Sequence, residues 1–190
     1  MIAGLANIIA DFFINKEWAE EEDREIYQYG SEVIIATSLN VFIVVVCGLL
    51  FYELMYISIF YIAFLLLRSY CGGYHAETHL KCNTIFTANI ITVLIIIKNV
   101  DLIQIDFIIL AMLVSSFIVW TLSPIINKNK PLTEEETKKY RRISLIITIV
   151  VDLSILGFIA VDMKTSVVLS LALLSVSGAM IVEKITRQEV

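Results

Sequence analysis

Charged residues are scarce in this 190-residue chain, and proline and glycine are scarcer still. Asp, Glu, Lys and Arg make up 17% of the residues, against about 25% in ordinary soluble domains. Two prolines and seven glycines exclude a collagen-like or linker-rich chain. The net charge of −5 lacks the basic excess that a nucleic-acid partner requires. Three cysteines, an odd number, do not form a disulfide framework.

Hydrophobic residues are abundant, at 58%, with a mean hydropathy of +0.84. A soluble chain of this length has too little interior to hide so much apolar surface from water. Several apolar runs approach or reach the roughly 20 residues that a membrane-crossing helix needs. The sequence therefore predicts an all-α integral membrane protein, a single membrane domain over 1–190. Six spans are expected, at 33–51, 54–67, 84–97, 103–122, 143–160 and 165–182.

The distribution of Lys and Arg predicts the orientation of these spans. With both termini cytoplasmic, twelve of the fourteen Lys and Arg residues fall in inner segments, and only Lys98 and Lys164 fall outside. Positive charge accumulates on the cytoplasmic side of membrane proteins. The asymmetry favours a multi-pass chain whose short polar stretch at 68–83 and basic loop at 123–142 both lie inside.

Segment 1–30 differs from the spans. Apolar residues recur there at three- and four-residue steps, which predicts an amphipathic helix, at Ile2, Leu5, Ile9, Phe12 and Phe13. The segment is too polar to cross a bilayer, so we expect a helix on the inner membrane face. Further along, Thr133 and Glu136 fit a capping box, which predicts that a helix begins there and enters the fifth span.

The polar stretch 68–83 contains both histidines of the chain and two of its three cysteines. Two kinds of site fit these residue types. In one, a cysteine thiolate attacks a carbonyl after a histidine takes its proton. In the other, zinc is bound by Cys71, His75, His79 and Cys82, a Cys₂His₂ set. A solvated connecting loop is the third interpretation, and spacing alone does not decide among them.

Helical geometry places a constraint on the cysteine–histidine interpretation. In one straight helix His75 and Cys82 would lie about 10.5 Å apart along the axis, at 1.5 Å per residue. His79 and Cys82, three residues apart, would be neighbours on one face. A His75–Cys82 pair therefore needs a bend, and straight-helix reasoning favours His79.

The order of motifs between the hydrophobic spans resembles the accessory gene regulator B (AgrB) family. Arg68, Gly72, Gly73, the pair Tyr74–His75 and Cys82 carry the resemblance, together with the loop from Ser123–Pro124 to Asn129–Lys130–Pro131. The resemblance covers essentially the whole chain, and the two motifs are its specific part.

This resemblance implies a bacterial cell-membrane cysteine endopeptidase that cuts a quorum-sensing propeptide and promotes its closure into a thiolactone. Cys82 would be the nucleophile and His75 the base, in place of His79, and no metal or other cofactor is implied. Four further residues match positions expected to act on substrate: Arg68, Gly73, Lys128 and Lys130. The partners implied are a small propeptide with an amphipathic leader and an acidic tail, the lipid bilayer, and a second copy in a homodimer.

Several alternatives stay open at the level of sequence. The lysines of the basic loop could attract the acidic tail or simply follow the positive-inside rule. Arg68 could bind a carboxylate, stabilise an oxyanion or anchor the topology. A zinc-dependent hydrolase and a small transporter are the rival functions. Asp152, in the middle of the fifth predicted span, is expected to form a structural hydrogen bond or to be a protonated carboxyl rather than a catalytic group.

Overall fold

The computed structural model describes residues 2–74, 79–125 and 133–188, and the side chains within them except at positions 79, 80, 187 and 188. Every regular element in these ranges is helical, which confirms the predicted all-α architecture. Single 3₁₀ turns lie at Glu21–Asp23 and Val100–Leu102. The α-helices are α1 (Ile2–Asn15), α2 (Arg24–Leu50), α3 (Leu54–Cys71), α4 (His79–Lys98), α5 (Ile105–Leu122), α6 (Glu134–Phe158) and α7 (Met163–Gln188).

Five of these helices are long and apolar enough to cross a membrane. Their candidate spans are Glu21–Leu50, Leu54–Cys71, Lys81–Lys98, Ile105–Leu122 and Met163–Thr186. The predicted span 143–160 lies in α6, where Arg141, Arg142 and Asp152 interrupt the apolar character. By length and composition, α6 is therefore not among the five.

Contacts between the connecting segments nevertheless show that α6 runs the length of the bundle. At one end, Lys164 at the start of α7 pairs with Glu53 before α3, with Nζ and Oε1 2.8 Å apart. At the other end, Arg141 in the N-terminal half of α6 donates to the carbonyl of Ser123, just after α5. Helix α6 thus runs from the end of the bundle where α5 finishes to the end where α3 and α7 begin.

Helix α7 occupies the centre of the bundle and packs against α3, α4, α5 and α6. Its buried face is rich in small residues, which let helix backbones approach closely in a membrane. These residues are Ser166, Ser170, Ala172 and Ser177. Helix α2 lies at the periphery, where it packs against α1, α3 and α4.

Helix α1 folds back on the start of α2, where Asp11 accepts from Arg24 at 2.5 Å. The buried residues of α1 are Ile2, Ala6 and Ala10. Of the predicted apolar stripe, Ile2 is buried, Phe13 stacks on Tyr27 of α2, and Leu5 and Phe12 are about half exposed. Small side chains allow close helix contact, whereas large apolar ones gain nothing by leaving a lipid environment. The predicted segment 1–30 is also divided, because residues from Arg24 onward belong to α2.

Other local predictions are confirmed. Thr133 and Glu136 form both bonds of a capping box, with the Glu136 N–H donating to Thr133 Oγ1 at 3.2 Å and the Thr133 N–H to Glu136 Oε2 at 2.9 Å. Helix α3 continues past the apolar run 54–67 into the polar stretch and ends at Cys71, and α4 begins at His79.

Candidate functional site

The chain leaves α3 through a turn that two glycines make possible. Gly72 has φ of 76° and Gly73 has φ of 131°, a backbone region that side chains with a Cβ rarely adopt. The turn is held at two points: the Tyr74 N–H donates to the carbonyl of Ala179 in α7 at 2.9 Å, and the Ile125 N–H donates to the carbonyl of Cys71 at 2.9 Å. The segment 68–83 is therefore not one straight helix: α3 ends at Cys71, and α4, which contains both His79 and Cys82, begins at His79.

Arg68, in the last turn of α3, lies against this turn. Its Nη2 donates to the carbonyl oxygen of Tyr74, the residue that precedes His75. A Cβ on Gly73 would meet the same guanidinium and lie 3.3 Å from the Ala179 carbonyl carbon. The missing side chain at Gly73 is thus what lets Arg68 reach the backbone. Arg68 is close enough to interact electrostatically with Cys82, with Cys71 and with Glu183, a buried carboxylate one turn beyond Ala179 in α7.

The segment after α5 is fixed at the same place. Ile125 forms an isolated parallel bridge with Gly72, and a Cβ at Gly72 would collide with the Ile125 carbonyl oxygen. Arg141 of α6 donates to the carbonyls of Ser123 at 3.0 Å and Trp120 at 3.2 Å. The loop predicted to bind substrate therefore starts beside the glycine turn. Lys128 and Lys130 themselves lie outside the described residues, as does His75.

Cys82, in the first turns of α4, lines a cavity of about 480 Å³ between α2, α3, α4 and α7. Its thiol is exposed rather than packed in the core. Arg68 and Tyr74 line the same cavity, so the polar side of the glycine turn faces the space beside the thiol. The remaining wall is mainly apolar, and its other lining residues are Thr37, Asn40, Tyr61, Phe64, Leu65, Ile85, Phe86, Asn89, Ser175, Ala179 and Val182.

The two cysteines of the polar stretch have different surroundings. Cys71 is fully buried and hydrogen-bonded to Ser123, and it is not among the residues that line the cavity. Cys82 is exposed and lines it. No group of three or more His, Cys, Asp or Glu residues that could hold a metal occurs in the described part of the chain. His75 and the side chain of His79, the other two ligands of the zinc interpretation, lie outside that part.

The structure thus brings together three of the six predicted site residues, Arg68, Gly73 and Cys82. The sequence did not identify two other polar residues that line the cavity, Tyr61 of α3 and Asn40 of α2. A polar residue inside an apolar span was the only available signal, and it does not indicate which way a side chain points.

Other polar residues of the spans serve packing between helices. Ser116 of α5 donates to both carboxylate oxygens of Asp152 in α6, at 2.8 and 2.9 Å, so the predicted structural hydrogen bond of Asp152 is confirmed. Ser175 of α7 donates to Oδ1 of Asn89 in α4 at 3.2 Å. The carboxylate of Asp152 therefore bonds α6 to α5, and Asp152 does not line the cavity beside Cys82.

Comparison with known proteins agrees with this architecture. The model of the accessory gene regulator B family matches residues 6–182. A Clostridium perfringens protein named as AgrB-like (strain SM101, type A) is 30% identical over 167 residues, which cover 84% of this chain and 78% of that protein. A second, named as AgrB-like protein 2 (strain 13, type A), is 29% identical over the same shares. No solved structure matches the chain. The chain therefore belongs to the accessory gene regulator B family, multi-pass membrane proteins that take part in the processing of quorum-sensing peptides.

Proposed function

We propose that this protein is a membrane cysteine endopeptidase that cuts a signalling propeptide and promotes its closure into a thiolactone. Cys82 is the nucleophile and His75 the base. The substrate is a small propeptide with an amphipathic leader that binds the membrane and an acidic tail that is released.

One observation carries this proposal: Arg68 links the backbone next to His75 with the cavity that Cys82 lines. The guanidinium donates to the Tyr74 carbonyl, and Arg68 lines the same cavity as the exposed Cys82. A single rigid, always charged group can therefore position the base-bearing segment and attract the negative charge that develops at the nucleophile.

The reaction proceeds in two acyl transfers. His75 takes the proton of the Cys82 thiol, the thiolate attacks the scissile carbonyl, and the C–N bond breaks as the leaving amine takes the proton from His75. The N-terminal part of the propeptide is then a thioester on Cys82. A cysteine thiol within that part gives up its proton to His75 and attacks the thioester. The ring closes and the Cys82 thiolate is released to regain its proton.

Exchange of one thioester for another conserves the activated acyl group, provided that water is kept from the intermediate. The mainly apolar wall of the cavity supports this requirement, because only a few polar side chains interrupt it.

The basic loop is the proposed binding site for the acidic tail. Ile125, where the loop begins, is bonded to the Cys71 carbonyl, and Lys138 and Lys139 are exposed in the N-terminal half of α6. Lys128 and Lys130 belong to the same loop by sequence. Opposite charge would raise the association rate more than the final affinity. With both termini cytoplasmic, as the Lys and Arg distribution predicts, the site faces the cytoplasm.

The experiment that tests the proposal is intact-mass measurement of the protein in lipid nanodiscs with a synthetic propeptide. We expect an acyl adduct whose mass equals that of the N-terminal part of the propeptide, with and without chelator. Cys82→Ala should abolish the adduct and His75→Ala should strongly reduce it, whereas Cys71→Ala and His79→Ala should retain it. Loss of the adduct on chelation, or equal dependence on all four residues, would indicate a zinc-dependent hydrolase instead.

A further inference from the structure

We infer that the cavity beside Cys82 binds the apolar residues of the propeptide that precede the scissile bond, and that Tyr61 and Asn40 hydrogen-bond to their backbone. This inference rests on the proposed function, because it names the part of the substrate that the same site holds. It assigns a substrate-binding role to two residues that neither motif of the family resemblance includes.

Unpaired polar atoms are the first observation. Three side-chain atoms around the cavity are buried and have no hydrogen-bond partner among the described residues: Oδ1 of Asn40, the hydroxyl of Tyr61 and Nη1 of Arg68. Buried polar atoms are nearly always paired in folded proteins, because an unpaired one costs free energy. Three residues that line one cavity thus carry polar atoms that a ligand can pair when their side chains turn toward it.

The chemistry of these atoms defines the ligand. Asn40 Oδ1 can only accept, so it requires an N–H donor, and Arg68 Nη1 can only donate, so it requires a carbonyl or carboxylate oxygen. The Tyr61 hydroxyl can do either. A peptide backbone presents N–H and C=O groups at every residue and satisfies all three.

The apolar wall defines the side chains. Between the polar atoms the cavity is lined by Phe64, Leu65, Ile85, Phe86 and Val182. A volume of about 480 Å³ lies within the range of ligand pockets, roughly 300–1,000 Å³. Acidic side chains of the tail would lose hydration here without gaining cationic partners beyond Arg68. Apolar residues on the acyl side of the scissile bond are the part of the substrate that fits.

Attachment to Cys82 favours the same assignment. The residue whose carbonyl Cys82 attacks stays bound to the sulfur, so its side chain remains next to the cavity after the tail has left. When that side chain fills the cavity, it displaces water from around the thioester. Binding and protection of the intermediate are thus achieved by one contact.

The test compares Tyr61→Phe and Asn40→Leu with the wild type in nanodiscs, measuring the rate of acyl-adduct formation at limiting propeptide. Each variant should form the adduct roughly two- to tenfold more slowly, because each loses one hydrogen bond to substrate. Ser115→Ala is the matched control: its hydroxyl is likewise buried and without a partner in the described part of the chain, but it lies in α5 and does not line the cavity. Its rate should equal that of the wild type.

A stability measurement separates substrate binding from a structural role. In the empty protein, Tyr61→Phe and Ser115→Ala each remove an unpaired polar atom, so the unfolding temperature should stay the same or rise in both. A lower unfolding temperature for Tyr61→Phe alone would show that its hydroxyl supports the fold and would overturn the inference.

A propeptide whose apolar residue before the scissile bond is replaced by Asp completes the test. Wild-type protein should form its adduct at least tenfold more slowly than with the parent peptide. If the wild type forms an adduct on Cys82 while both variants match its rate, the inference fails and the proposed function stands. If the wild type forms no adduct on Cys82, both fail.

Discussion

At Gly73 the Arg68 guanidinium and the carbonyl carbon of Ala179 occupy the space that a Cβ would need. The positive φ of 131° already disfavours any residue with a Cβ, and the space for one is filled. The position combines both requirements that select glycine, an unusual backbone conformation and a close approach of other atoms. Gly73 directly precedes Tyr74, whose carbonyl accepts from Arg68, and lies two residues before His75, the proposed base.

We expect Gly73→Ala to reduce acyl-adduct formation at least tenfold. Backbone strain of this kind costs about 1–3 kcal/mol, and relieving it requires Arg68 to move off the Tyr74 carbonyl. The adduct rate is measured by intact mass, with membrane insertion checked by expression. Gly178→Ala is the control, because a Cβ at Gly178 meets nothing within 4 Å. Equal rates in the two variants would contradict the role assigned to the turn.

Arg68→Lys should also lose activity although the charge is kept. The guanidinium reaches the Tyr74 carbonyl with Nη2 while Nη1 lies against Gly73, and a single ammonium cannot be in both places. We expect a roughly ten- to hundredfold lower adduct rate, with Arg142→Lys, at an exposed position of α6, showing no change. Retention of the full rate in Arg68→Lys would show that charge alone suffices.

At the scale of helices, the Ser116–Asp152 contact tests how polar residues hold this bundle together. Ser116→Ala leaves the Asp152 carboxyl without its donor between α5 and α6. Interhelical hydrogen bonds in membranes contribute about 0.6 kcal/mol on average and up to about 1.7, and we expect a loss of stability in that range. Thermal unfolding in detergent measures it, with the adduct rate unchanged.

The control for this prediction is Ser154→Ala. The Ser154 hydroxyl donates to the Val150 carbonyl within its own helix at 2.8 Å, so its removal breaks no contact between helices. If Ser154→Ala destabilises the protein as much as Ser116→Ala, the interhelical bond is not what stabilises α5 against α6.

The helices themselves were largely predictable, and the cavity was not, for one physical reason. Length and hydropathy identify a span, and the capping box and glycines identify where helices begin and end. A helix that is apolar on all faces, however, carries no periodicity that shows which face turns inward. The convergence of Asn40, Tyr61 and Cys82 from three helices depends on those rotations, so it became visible only in the structure.

For the N-terminal helix, the sequence pattern indicated one face and not the other. The large apolar residues of the stripe predict a side that faces the membrane, and Leu5 and Phe12 are exposed. The buried positions Ala6 and Ala10 carry no such pattern, although small residues favour close helix contact.

For the whole molecule, the loops at the two ends of the bundle should lie on opposite sides of the membrane, so the predicted topology can be tested. Leu102, before α5, should be reached from outside the cell and Lys138, in α6, from the cytoplasm. In a Cys82→Ser background, a membrane-impermeant maleimide should label Leu102→Cys in intact cells and Lys138→Cys only after lysis. Val161→Cys, before α7, should behave like Leu102→Cys, and the reverse pattern would invert the proposed topology.

The central position of α7 has a consequence for biosynthesis. Among the described helices α7 leaves the ribosome last, yet it supplies the Ala179 carbonyl that holds Tyr74 and one wall of the space beside Cys82. The cysteine and its neighbouring arginine are therefore inserted into the membrane well before their surroundings exist. A nascent chain that stalls before Met163 carries the proposed nucleophile without the geometry to use it, so the proposed peptidase activity would be delayed until insertion is complete.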